Sequence, residues 1–231
     1  MPIAENIAHI RAQMRQAAID AGRNPEEIRL CAATKMNDAD TVKAAIAAGV
    51  DVCGENRVQE LTLKLSQHAY DGAPVHFIGH LQTNKVKQVV GKVDLIQSID
   101  SLRLLEAVQK EAARQKIVQD VLLEVNIGCE ESKTGFSGEE IPELVEQFSR
   151  FSNIRLRGLM AIPPISQNSG DNRKFFQKMY QLAVDITTKK VDNVCVDILS
   201  MGMSDDFVDA IACGSTMIRI GTAIFGQRNY T

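Results

Sequence analysis

The sequence predicts an α/β fold: a single (β/α)8 TIM barrel with an extra N-terminal helix over residues 3–20. Three observations predict it. Eight short apolar segments recur along the 231 residues, and each of the first seven is followed by a stretch with helical spacing. The units average about 29 residues, the length of one strand–helix repeat in such a barrel. A doubly wound open sheet is the competing architecture, but it typically needs only about five or six strands.

The N-terminal helix comes first. Ile3, Ile7, Ile10, Met14 and Ala18 share one helical face, with Glu5, Arg11 and Arg15 elsewhere. Strands are expected at 29–34, 50–54, 75–79, 93–99, 121–127, 154–161, 195–201 and 216–220. After the first strand, Asn37 or Asp38 caps a helix running through 41–48 and stopped by Gly49. The second helix covers 57–67, and a short third covers 84–90, closed by Gly91. The fourth covers 101–115, and the fifth covers 137–151 with Pro142 tolerated in its first turn. The sixth covers 171–189, and the seventh covers 204–212, stopped by Gly214. Too little chain follows the eighth strand for an ordinary eighth helix, so the N-terminal helix is expected to cover the barrel wall there. The polar stretch 165–172 reads as a longer loop. No linker or repeat interrupts 1–231, which reads as one domain with its barrel at 29–226.

Composition narrows the function classes. With 26 Lys+Arg against 29 Asp+Glu, the net charge of −3 carries no basic excess for nucleic acid. No apolar run approaches the ~20 residues that span a bilayer, and no signal peptide is visible at the N-terminus. Five scattered cysteines without a CxxC pair suit free thiols in the cytoplasm better than bridges or zinc ligands. The chain has no Trp and only three Tyr.

Chemistry in such barrels sits at the C-terminal ends of the strands. The first strand ends in Thr34-Lys35. A lysine pointing into an apolar mouth favours its neutral form, and a neutral amine attacks carbonyls. From position alone a solvated loop lysine is the more ordinary reading. The second strand ends in Gly54-Glu55-Asn56-Arg57, where Asn56 can bond a ring hydroxyl or equally cap the next helix, and Glu55 can pair with Arg57. His76 and His80 flank the third strand end, but no third ligand clusters nearby, so no metal is expected. Ser200 and Gly202 after the seventh strand, with Gly221 and Thr222 after the eighth, form a matched pair of turns suited to phosphate. Together with a first-strand lysine they point to a phosphorylated aldehyde.

These residues lie in stretches that resemble the pyridoxal phosphate homeostasis family over essentially the whole chain. The matching segments are ATK around Lys35, GENRVQE at 54–60, HFIGHLQTNK at 76–85, SKTG at 132–135, SMGMSDD at 200–206 and GSTMIRIGTAIFG at 214–226. The resemblance implies the fold type III barrel of the alanine racemase N-terminal domain, binding pyridoxal 5′-phosphate (PLP) as a Schiff base on Lys35. It further implies phosphate contacts from Ser200, Gly221 and Thr222, with Arg219 near the pyridine nitrogen and Asn56 near the ring. Lys133 matches a lysine implicated in cofactor exchange. Met36-Asn37 and His80 depart from the family pattern without removing a cofactor group.

The expected function is therefore to hold PLP and maintain intracellular vitamin B6 and amino-acid homeostasis, with no catalytic residue assigned. Free amino acids and apo PLP-dependent enzymes are the expected partners, and the family precedent implies a monomer. A charged, donor-only Arg219 makes a weak electron sink of the ring. Racemases of this kind need a second acid/base, typically a tyrosine from a second domain, and Tyr70, Tyr180 and Tyr230 all lie away from strand ends. A PLP-dependent racemase or decarboxylase of narrow specificity is the alternative. A Schiff-base aldolase fits less well, because the sixth strand carries Arg155 and Arg157 rather than lysine.

Overall fold

The structure, a computed structural model, describes residues 2–130, 133–165, 168 and 170–226. Eight parallel strands close a barrel in sequence order: β1 (Arg29–Ala33), β2 (Val52–Glu55), β3 (Val75–Phe77), β4 (Leu95–Ile99), β5 (Gln119–Val125), β6 (Ile154–Ala161), β7 (Val194–Ser200) and β8 (Met217–Ile220). The β1–β8 pairing, with Cys31 opposite Arg219, seals the cylinder. The barrel bears out the expected fold. Its interior is filled by Cys31, Val52, Ile78, Leu95, Leu122, Met160, Ile198 and Met217. The larger apolar core lies between the strands and the surrounding helices.

The helices are α1 (Ile3–Asp20), α2 (Ala39–Ala47), α3 (Val58–Ser66), α4 (Leu102–Gln115), α5 (Glu140–Glu146), α6 (Arg173–Thr187), α7 (Phe207–Ala212) and α8 (Thr222–Phe225). Asp38, rather than Asn37, caps α2 by accepting from Thr41 N at 2.8 Å. Ser101 caps α4, and Lys116 ends it in the left-handed region at φ 58°. α1 buries Ile7, Ile10, Met14, Ala17 and Ala18 and packs along α7, α8 and α2. Asn6 Nδ2 donates to Ile224 O at 2.8 Å, tying it to the one-turn α8. The expected wall cover is thus in place.

Three expected helices need correction. The third is a 3₁₀ segment, Thr83–Gln88, which turns tightly enough to bury Val86 on a short connection. The fifth begins at Glu140 and breaks after Glu146 into the 3₁₀ turn Phe148–Arg150. That break lets Phe148 and Phe151 both enter the core with ring centroids 5.4 Å apart. The seventh starts only at Phe207, because Asp206 first closes a turn by accepting from Met203 N at 2.7 Å. Of the expected loop at 165–172, positions 166, 167 and 169 lie outside the described residues, as do Ser132 and Tyr230.

Candidate cofactor site at the barrel mouth

The ends of β1, β2, β3, β6, β7 and β8 enclose a cavity of about 620 Å³. It is lined by Lys35, Asn56, Ile78, Ile162, Arg219 and the residues around Gly221 and Thr222. Lys35 stands two residues beyond β1, and Asn56 follows β2 directly. Gly79 makes the Asn56 position possible. A Cβ there would lie 2.2 Å from the carbonyl oxygen of Asn56, so only glycine lets the β3 loop come this close. Asn56 Oδ1 is buried with no hydrogen-bond partner among the described residues, an unsatisfied acceptor on a residue that lines the cavity.

Arg219 is buried, and desolvation draws its pKa below the usual arginine range. It donates Nη2 to Ala161 O at 2.9 Å and Nη1 to Ser200 Oγ at 2.6 Å. Ser200 Oγ donates in turn to Gln97 Oε1 at 2.7 Å, and Gln97 Nε2 lies 2.9 Å from His76 Nδ1. This polar chain runs down the barrel axis from the mouth. At its far end His76 is buried, and desolvation is the main cause that pulls its pKa down to about 3, so this histidine packs as a neutral core residue. His80 instead faces Asp100, with Nδ1–Oδ2 at 2.9 Å. Among the described residues no group of three or more His, Cys, Asp and Glu could hold a metal.

Of the seven residues singled out by sequence, Lys35, Asn56, Arg219, Gly221 and Thr222 are brought together at the cavity. Ser200 and Gly202 are not among the described residues that line it. Ser200 is fully buried and committed to Arg219 and Gln97. Gly202, at φ 97°, is a packing glycine: a Cβ there would meet Ala210 Cβ at 2.6 Å. Ser204 occupies the lining instead, with its Oγ accepting from Ala223 N at 3.4 Å. Lys133 lies beside the cavity rather than in it. It pairs with Glu130, donates to Pro163 O at 3.1 Å, and borders an adjoining cavity of about 450 Å³.

The suggested Glu55–Arg57 pair does not form. Glu55 is buried against Lys64 Nζ at 2.7 Å, and Arg57 faces Glu60 at 3.6 Å. Tyr70, although far from any strand end in sequence, reaches Glu55 Oε2 with its hydroxyl at 3.1 Å. Sequence reasoning missed Glu124 as well. Burial pushes its carboxyl up to about 7, with Asp100 adding to the rise and Arg219 and His80 opposing it. Its signal was legible: Glu124 is the lone charge in VLLEVNI at 121–127.

With this geometry in view, comparison with known proteins identifies the relationship. The alanine racemase N-terminal domain family matches residues 3–229. The pyridoxal phosphate homeostasis protein of Aquifex aeolicus is 41% identical over 230 residues, covering 100% of both chains. The chain belongs to this family. A solved structure from Bifidobacterium adolescentis matches with a TM-score of 0.92 at 36% identity, over 96% of this chain and 94% of that one. PipY of Synechococcus elongatus, solved with PLP bound, matches with a TM-score of 0.83 at 30% identity, over 97% of this chain and 100% of PipY. The family's barrel is therefore the frame on which Lys35, Asn56 and Arg219 are mounted.

Proposed function

We propose that this protein binds PLP in the mouth cavity, carries it covalently on Lys35, and keeps the cofactor available in the cell without robust turnover of its own. The observation that carries this reading is the convergence of Lys35, Asn56 with its unpartnered side-chain oxygen, and Arg219 as lining residues of one cavity. Those groups fit the cofactor: an amine for its aldehyde, an acceptor for its ring hydroxyl, and a donor for its ring nitrogen. The hydroxyls of Ser204 and Thr222 and the backbone about Gly221 fit its phosphate.

Bound PLP supplies an aldehyde that condenses with amines and a ring that draws electrons from the adjoining carbon. The chain's own residues restrict the chemistry open to it. Arg219 offers only N–H donors, so it cannot hold a proton on a ring nitrogen as an accepting carboxylate would. Burial pushes the Cys31 thiol up to about 12, which keeps it protonated at neutral pH and removes it as a base. Ile78 and Ile162 give the cavity an apolar wall.

The relatives named for PLP homeostasis support a carrier rather than a racemase or decarboxylase. Free amino acids and apo forms of PLP-dependent enzymes are the partners this role requires, and a monomer suffices for it. A cytoplasmic setting accords with five free cysteines, and no described helix is long and apolar enough to cross a membrane.

The test is absorption spectroscopy after PLP loading, followed by borohydride reduction and peptide mapping. The label is expected on Lys35 and is lost in Lys35→Ala. Sustained racemisation or decarboxylation of any amino acid, absent in Lys35→Ala, would overturn the carrier reading.

A further inference from the structure

Behind Lys35 lies a buried ionic cluster that the cofactor contacts do not use. Lys64, on α3, is buried at 3% exposure, and Glu55, at the end of β2, at 0%. Lys64 Nζ donates to Glu55 Oε2 at 2.7 Å and to Thr34 O at 2.7 Å. Glu55 Oε2 also accepts from Thr34 Oγ1 at 3.2 Å and Tyr70 OH at 3.1 Å, while Oε1 accepts from Asn56 N at 2.9 Å. One turn earlier on α3, Glu60 Oε2 accepts from Met36 N at 2.6 Å and lies 3.3 Å from Lys64 Nζ.

The backbone on both sides of Lys35 is therefore anchored to one helix: the residue-34 carbonyl by Lys64, the residue-36 amide by Glu60. Met36 sits at φ 62°, a left-handed conformation that a non-glycine residue keeps only when its surroundings hold it there. Asn56 is fixed through the same carboxylate as Lys64, that of Glu55. An ion pair this deeply buried is a poor device for stability, since its desolvation cost offsets much of the attraction. What it supplies here is geometry.

We propose that Lys64, acting with Glu60 and Glu55, is the positioning residue that aims Lys35 and Asn56 into the cavity. The assignment rests on the reading of Lys35 as the residue that carries PLP. Its logic is general: a reactive amine misplaced by about an ångström loses about two orders of magnitude in rate, so its supporting residues are held as firmly as the amine itself.

Two readouts test it, one of them free of cofactor. In Lys64→Met, amide hydrogen exchange at Met36 is expected to rise by about tenfold or more as the 34–36 turn loosens. The rate at which added PLP becomes borohydride-fixed on Lys35 is expected to fall by about ten- to a hundredfold. Lys64→Arg, which keeps charge and donors, is expected to recover most of that rate. Glu60→Gln, at a partly exposed side chain, weakens the Met36 anchor and the contact with Lys64 while leaving the Lys64–Glu55 pair in place, and is expected to slow trapping by about threefold or more. It carries the test if Lys64→Met does not fold. Folded variants with unchanged Met36 exchange and the parental trapping rate overturn the proposal. If Met36 exchange rises but the parent itself never labels Lys35, the PLP reading fails while the anchoring of the turn stands.

Discussion

Glu124 lies near the C-terminal end of β5, where burial and Asp100 hold its carboxyl at about 7 against an ordinary value of 4.5. The folded protein keeps this proton across that interval, while the unfolded chain has lost it. Unfolding releases the proton, so this residue's contribution to stability falls as pH rises from about 4.5 to 7. Glu124→Gln carries no such proton. The variant is expected to gain on the parent across that window, reaching roughly 3 kcal/mol near neutral pH, read from urea melts at stepped pH. A constant difference between the two proteins would show that Glu124 titrates normally. At the mouth cavity, Thr222→Ala is expected to weaken PLP retention by one charge-assisted hydrogen bond, about 1.5–3 kcal/mol or roughly ten- to a hundredfold. Equal retention by equilibrium titration would move the phosphate elsewhere. Ser200→Ala belongs to a different class. It leaves Arg219 and Gln97 each short of a buried partner, so its effect is expected first in the thermal midpoint.

At the level of elements, the site depends on where strands stop and how closely their loops approach. β2 ends at Glu55 and β3 at Phe77, and Gly79 then brings the β3 loop against the backbone of Asn56. Gly79→Ala forces these two loops apart. It is expected to lower PLP affinity by about tenfold or more while leaving the strands intact, read by absorbance titration alongside far-UV circular dichroism. Parental affinity would separate Asn56 from cofactor binding. The tight 3₁₀ segment Thr83–Gln88 comes after that same loop and replaces a full helix on this side of the barrel. α1 supplies the opposite case, a full helix where the one-turn α8 cannot cover the wall.

Across the whole molecule, α1 joins the core that surrounds the closed strand cylinder. Ile10→Ala removes a buried side chain from that seam and is expected to cost about 2–5 kcal/mol, measured by urea denaturation. A loss under about 1 kcal/mol would mean that α1 covers the barrel without stabilising it. The order of strands and helices was legible in the sequence because apolar runs and helical spacing are local signals, carried by neighbours within one element. So were Lys35, Asn56, Arg219, Gly221 and Thr222, because each lies at or just beyond a strand end and the strand ends of a barrel meet. Helix breaks such as the one after Glu146 were not legible, since Phe148 and Phe151 turn inward for contacts distant in sequence.

The sequence alone thus determined the barrel and five of the seven residues expected at its mouth, Lys35 among them, since strand-end position comes from periodicity. Only the tertiary structure decided which polar residues face the cavity and which hold it up. Ser200 turned inward to Gln97 and Arg219, Gly202 packed against α7, and Lys64 and Tyr70 came from the α3 side to meet Glu55. The physical reason is that a buried polar group must find its partner wherever the fold brings one within about 3 Å, and that distance is not written in the spacing along the chain.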